Sequence, residues 1–144
     1  MKALAVFAIL LGVMALLQRP ADYSREESGY RAIAVNYAIY RNEVFRHVYD
    51  QHGITGDIPL TVLNMPDTWR PLRQWRARVE GGRCYVYGAA TPQEIAAVRQ
   101  LFQGSFALGQ ANGGRLVPAP VKGTAVPLPG FVPEGSLVSV TEVD

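Results

Sequence analysis

Residues 3–17 form an unbroken apolar run preceded by a single lysine, and no other stretch constrains this chain so strongly. As a helix rising about 1.5 Å per residue, the run spans only about 22 Å, short of the roughly 30 Å hydrocarbon core of a bilayer. Length alone therefore leaves a signal peptide open. The flank argues for retention: Gln18-Arg19-Pro20-Ala21-Asp22 offers no pair of small residues for signal peptidase, and no cysteine stands there to carry a lipid. The expectation is a retained single-pass anchor over residues 1–21, with Lys2 and Arg19 snorkelling to extend its reach. Arg19, Arg25 and Arg31 outweigh Lys2 and the terminal amine, so the arginine count does not by itself put the N-terminus inside.

Residues 22–144 suffice for one domain with one modest core. A formal net charge of +2 is too small to point to nucleic acid as a partner. Cys84 is the single cysteine, so packing rather than an internal disulfide must hold the domain together.

After the anchor, Ser24-Arg25-Glu26-Glu27 has the form of a capping box, which predicts a helix from about Arg25 to Gln51 that stops at Gly53. Tyr30, Ile33, Tyr37, Tyr40, Val44 and Val48 recur at spacings of three and four and lie on one face, widened by Ala34, Phe45 and Tyr49. Residues 53–71, interrupted by Pro59 and Pro66 and closed by Pro71, read as a loop with at most a short strand near 60–63, docked by Trp69.

Gly81-Gly82 between two alternating runs is a two-residue hairpin signal, because both positive-φ positions are free of Cβ strain. The turn sets the register: Glu80 faces Arg83, Val79 faces Cys84, and Ala77 faces Val86. One side of this ribbon carries Trp75, Ala77, Val79, Cys84 and Val86 and should be core. The other carries Arg76, Arg78, Glu80, Arg83, Tyr85 and Tyr87. Thr91-Pro92-Gln93-Glu94 starts a second helix, with Ile95, Val98, Leu101 and Phe102 as its buried stripe and Gly104 as its end. Strands follow at 105–110, 115–117 and 136–140. The prolines at 118, 120, 127, 129 and 133 suggest that the C-terminal segment follows an edge or the surface.

No pattern for catalysis or a metal emerges. His47 and His52 are five apart and do not share a helix face, Cys84 falls on the buried side of the hairpin, and the carboxylates at 22, 26 and 27 suit a helix start. No catalytic, cofactor or metal residue is therefore assigned. The remaining polar feature is a cluster of arginines between positions 70 and 83. Arg76, Arg78, Arg83, Tyr85 and Tyr87 share one hairpin face, a candidate surface for docking a partner.

The order of these pieces resembles the small inner-membrane PilM family of thin (type IVb-like) conjugative pilus systems, not the actin-like protein of the same name. The resemblance rests on the apolar N-terminus, Tyr40-Arg41-Asn42 with Val44, the segment from Pro66 to Trp69, and Gly81-Gly82 followed by Tyr85-Val86-Tyr87. It continues through Gly114-Arg115-Leu116-Val117-Pro118 and the close from Leu128-Pro129 through Val132-Pro133-Glu134-Gly135-Ser136-Leu137-Val138, and so covers nearly the whole chain. It implies a non-enzymatic inner-membrane component of pilus biogenesis or of the pilus basal body, acting in pilin transport or assembly and in conjugation, with no active-site residues. It also implies a periplasmic C-terminal domain, in contact with other pilus components. The alternatives are a minor pilin-like fibre subunit and, less favoured, an exported enzyme. The expected fold is α+β: a transmembrane helix running into a long amphipathic helix, with a second helix packed on a small antiparallel sheet. The long helix is a candidate for self-association.

Overall fold

The computed structural model describes residues 2–105, 107–118 and 125–143, with side chains described from residue 24 onward. Helix α1 spans Lys2–Asp50. The anchor expected over 1–21 lies outside the residues whose side chains are described. Among the described residues no helix is long and apolar enough to cross a membrane. The helix does not start at Arg25 as its capping box predicts. A continuous helix already supplies i−4 carbonyl partners to the amides that Ser24 would cap, and the carbonyl of Ser24 instead accepts a 2.7 Å hydrogen bond from Ser28 Oγ.

The buried side of α1 follows the heptad-like spacing. Ile33, Ala34, Tyr37, Tyr40, Val44 and Val48 are buried, with Tyr37 and Val44 fully so. Each such side chain contributes about 1.5–3 kcal/mol through removal from water. Tyr49 is the exception. It is 78% exposed, because one residue past Val48 the helix has turned about 100° away from the sheet.

The hairpin of β2 (Arg76–Glu80) and β3 (Arg83–Gly88) has the register set by its turn: Glu80 pairs with Arg83, Val79 with Cys84 and Ala77 with Val86. Gly81 and Gly82 take φ of +59° and +73°, the left-handed values that a two-residue primed turn requires. Gly88 serves a different need. A Cβ there would lie 2.5 Å from Cε3 of Trp75 and 2.9 Å from the Gln74 carbonyl oxygen, so the bare backbone is what lets the indole lie across the end of β3.

Helix α2 (Pro92–Leu101) opens on the expected reciprocal cap. Glu94 N–H donates to Thr91 Oγ1 at 3.3 Å, and Thr91 N–H donates to Glu94 Oε2 at 3.0 Å. Ile95 and Val98 are buried and Phe102 half-buried, but Leu101 is exposed, so the stripe is narrower than its spacing suggests. Both helices lie on one face of the sheet, packed against each other.

Among the described residues the sheet has six strands in the order β1-β2-β3-β6-β4-β5, every neighbouring pair antiparallel. β1 is only Gly56–Asp57, at one edge. The short strand expected near 60–63 is instead a single 3-10 turn, Leu60–Val62, whose following amides turn back on the loop: Val62 N–H donates to the Pro59 carbonyl at 3.2 Å and Leu63 N–H to that of Leu60 at 3.1 Å. β4 (Leu108–Asn112) and β5 (Arg115–Val117) form a second hairpin.

The C-terminal strand β6 (Leu137–Glu142) overturns the edge expectation, since it sits between β3 and β4. The prolines precede it and none falls within it, which leaves Leu137, Val138, Ser139 and Val140 free to be buried on alternate faces. Leu137 joins the core under the helices, while Val138 and Val140 join a smaller core on the opposite face with Tyr85, Tyr87 and Val132.

Two expectations follow. Replacing Gly81 or Gly82 with valine forces a branched side chain into positive φ and should lower stability by about 1 kcal/mol or more, read as a lower denaturation midpoint in urea. An unchanged midpoint would contradict the turn. Burial also pushes the hydroxyls of Tyr37 and Tyr40 up and the thiol of Cys84 up to about 12, against an ordinary 9.0. These groups keep their protons in the folded state to higher pH than in the unfolded chain, so their contribution is complete below about pH 9 and is lost as pH rises through the folded values. The melting temperature should therefore hold from neutral pH to about 9 and fall beyond it.

Candidate functional site

The loop between β1 and β2 is pinned by one amide. Asn36 lies inside the apolar stripe of α1 and is only 8% exposed. Its Nδ2 donates to the Arg70 carbonyl at 2.8 Å, and its Oδ1 accepts from Leu72 N–H at 3.0 Å and from Trp75 Nε1 at 2.8 Å. Its backbone carbonyl accepts a longer bond from Trp69 Nε1, at 3.3 Å. With these bonds made, Trp69 stacks on Tyr40 at 6.1 Å between centroids, and Trp75 meets Tyr37 edge-on at 5.0 Å. A polar residue three after Ile33 and four before Tyr40 is the signal that could have marked this position in the sequence.

Around the pinned loop opens a groove of about 1080 Å³ along the β1–β2 edge. Trp69, Trp75 and Tyr40 form its floor, and Leu60 and Leu72 stand exposed on its walls. Arginines line its rim. Arg73 is ion-paired to the buried carboxylate of Glu94, which also caps α2, so this pair ties the loop to the second helix. Arg78 reaches Glu80 Oε1 at 3.1 Å and Asp57 Oδ1 at 3.2 Å, and these two carboxylates raise its pKa. Arg76 is exposed and has no carboxylate partner among the described residues.

Of the five residues expected to share a docking face, the structure brings Arg76, Arg78 and Tyr87 to this groove. Arg83 and Tyr85 lie towards the hairpin turn, where Arg83 approaches Glu142 at 3.7 Å. The two tyrosines are not exposed contact area. Each is 6% exposed, because the chain returns over them and sets Phe131 at 5.5 Å from the Tyr85 ring and 5.8 Å from that of Tyr87. Arg78 in turn stacks on Phe131 at 5.0 Å. Sequence spacing assigned the face correctly but held no sign of the segment that covers it.

A second polar group lies deeper. Tyr37 Oη donates to the Val86 carbonyl at 2.8 Å and accepts from Ser139 Oγ at 2.7 Å, and Ser139 Oγ in turn accepts from Arg41 Nε at 3.1 Å. The Arg41 guanidinium is sandwiched between Phe45 and Phe102 at 4.3 and 4.6 Å, and burial lowers its pKa. These bonds lock α1 to β3 and β6. Cys84 lies in the same interior, and with its thiol pushed up to about 12 it is a packing residue rather than a nucleophile. Among the described residues no group of three or more His, Cys, Asp or Glu could hold a metal ion. His47 is half-buried near the end of α1 and His52 is exposed beyond it.

The family model described as PilM matches residues 6–140. The crystal structure of a PilM protein from Escherichia coli B7A is similar to this chain with a TM-score of 0.60 at 17% identity, covering 81% of this chain and 94% of that one, which is a likeness of fold. None of the curated proteins matches.

Asn36→Leu is the sharpest check on the site. It leaves the Leu72 amide and the Trp75 indole without acceptors, and should cost about 2–4 kcal/mol. Near-ultraviolet circular dichroism should lose tryptophan signal, while far-ultraviolet helix content is retained.

Proposed function

The chain belongs to the PilM family, and from that premise we propose that it is a non-enzymatic component of conjugative, type IV-like pilus biogenesis that works by docking other components of the assembly. The observation carrying this reading is the family match across almost the entire chain. It is supported by an interior whose titratable groups are consumed in packing and hydrogen bonds, and by a surface that carries a groove rimmed by arginines.

In this reading residues 3–17 anchor the chain in the inner membrane, α1 carries the polypeptide out of the bilayer as a stiff rod, and the α+β domain stands in the periplasm. The hydropathy of the apolar run and the want of a signal-peptidase site after it support the anchor, and the family resemblance supports the side. Pilin transport or the pilus basal body is the stage at which such a domain acts. Self-association through α1 is supported by a shallow apolar strip on its outer side, where Ala32, Val35 and Ile39 lie beside Leu72.

Deleting the gene from a host that carries the pilus system should abolish or strongly reduce piliation and mating in liquid, with recovery on complementation. Protease added to spheroplasts should remove the domain, and the intact protein should begin at Met1 or Lys2. A mature N-terminus near Ala21 would refute the anchor. Normal piliation in the deletion strain would refute the pilus role.

A further inference from the structure

Arg41 is a half-buried cation that is held in place and left without a counter-ion. Its guanidinium lies between the rings of Phe45 and Phe102, at 4.3 and 4.6 Å from their centroids, and its Nε donates to Ser139 Oγ at 3.1 Å. Two phenyl faces and a hydroxyl carry no opposing charge, and burial lowers the pKa of the group. A charge withdrawn from water is ordinarily matched by an opposite one. Elsewhere in this domain that rule is followed: Arg46 meets Glu43, Arg73 meets Glu94, Arg78 meets Asp57 and Glu80, and Arg83 meets Glu142. Arg41 meets no carboxylate among the described residues, and Glu43, two positions along α1, points about 200° round the helix to Arg46.

Packing alone asks for no charge here, since a methionine fills the space between two rings as well. What the guanidinium adds is donors. Its Nε is used in the network with Ser139, but its terminal nitrogens have no acceptor among the described residues and are not sealed from solvent. The stacked rings and the Ser139 bond fix the plane of the fork, so little freedom is lost when an acceptor arrives. Around it stand Phe45 and Phe102, both half-buried, and Leu101, next to Phe102 on α2 and 45% exposed. A fixed arginine inside an apolar collar has the anatomy of the residues that dominate protein interfaces. We propose that Arg41 anchors a docking surface on α1 and α2, where its terminal nitrogens receive an aspartate or glutamate side chain of a partner protein and apolar neighbours of that side chain cover Phe45, Phe102 and Leu101. A lipid headgroup is the poorer match, because anionic membranes are gathered by clusters of cations and the surroundings of Arg41 are apolar. The inference rests on the docking reading above and adds where on the domain the partner sits and which group it brings.

The full chain, with the photocrosslinker p-benzoylphenylalanine placed at Leu101, is expressed in a host that makes the pilus, and the adduct is mapped by mass spectrometry. The adduct should fall on a protein segment that holds an aspartate or glutamate within a few residues. Changing that carboxylate to its amide should lower the adduct by about fivefold or more, and Arg41→Met should do the same while keeping the circular dichroism. The two changes together should lower it no further than either alone, as expected of groups that act as a pair. Arg41→Lys, which keeps the charge and loses the planar fork, should recover part of the yield.

An adduct that neither the amide variant nor Arg41→Met diminishes overturns the proposal. So does an adduct confined to phospholipid, or none at all from Leu101. If Arg41→Met fails to fold, the amide variant decides alone, because it leaves this chain unaltered. The same crosslinker placed at Leu60, on the wall of the groove, keeps the two readings apart. A protein adduct from Leu60 with none from Leu101 refutes the Arg41 surface and leaves the docking role standing. An adduct from Leu101 that depends on Arg41, in a system whose deletion strain still makes pili, refutes the pilus role and keeps the surface.

Discussion

A single buried amide organises the groove at the β1–β2 edge. Asn36 sits where the spacing of α1 calls for an apolar side chain, and it meets the backbone at Arg70 and Leu72 and the indole of Trp75. An unpaired amide in that position would cost several times what a made hydrogen bond contributes, so the partners are bound to come to it. Once they do, Trp69 and Trp75 can only lie on Tyr40 and Tyr37. A proline-interrupted loop with almost no regular structure thereby becomes the fixed wall of a groove. The ion pair from Arg73 to Glu94 repeats the device at the other end, tying the same loop to the cap of α2.

The sheet is held by a parallel logic. Tyr37, Ser139 and Arg41 form a satisfied polar network between α1 and the strands β3 and β6. Ser139 is polar among the leucine and valines of Leu137–Val140, and it is fully buried because Tyr37 and Arg41 meet it. Such a network specifies which residues of the helix lie over which strands, something leucine and valine packing alone leaves degenerate. The outcome is a rigid platform whose functional groups serve as structure. That suits the docking role proposed above, which places recognition on surfaces and edges.

Local signals carried a large part of this fold. Gly81-Gly82 set a register that every pair of the β2–β3 ladder obeys, and Thr91 with Glu94 marked the start of α2 to the residue. The face of α1 from Ile33 to Val48 was equally plain. Each of these rests on interactions between residues a few positions apart, where spacing alone determines geometry. The arginine-bearing face of the hairpin was also legible, as was the docking of Trp69.

Other features depended on contacts between distant parts of the chain. The C-terminal strand reads as an edge because prolines crowd the approach to it, yet β6 fills the middle of the sheet. What decides its place is the need of β3 and β4 for a partner buried on both faces. Tyr85 and Tyr87 read as exposed contact residues, and only the return of Phe131 and Val132 over them makes a second core. Tyr49 and Leu101 extend apolar stripes in the sequence, but each lies on a part of its helix that no other element covers and stays in solvent. The sequence by itself determined the hairpin register, the buried face of α1 and the cap of α2, because these follow from backbone conformation and short-range spacing. Only the tertiary structure decided the strand order, the second core and the groove, because each depends on which surfaces remain uncovered once distant segments have competed for the same burial.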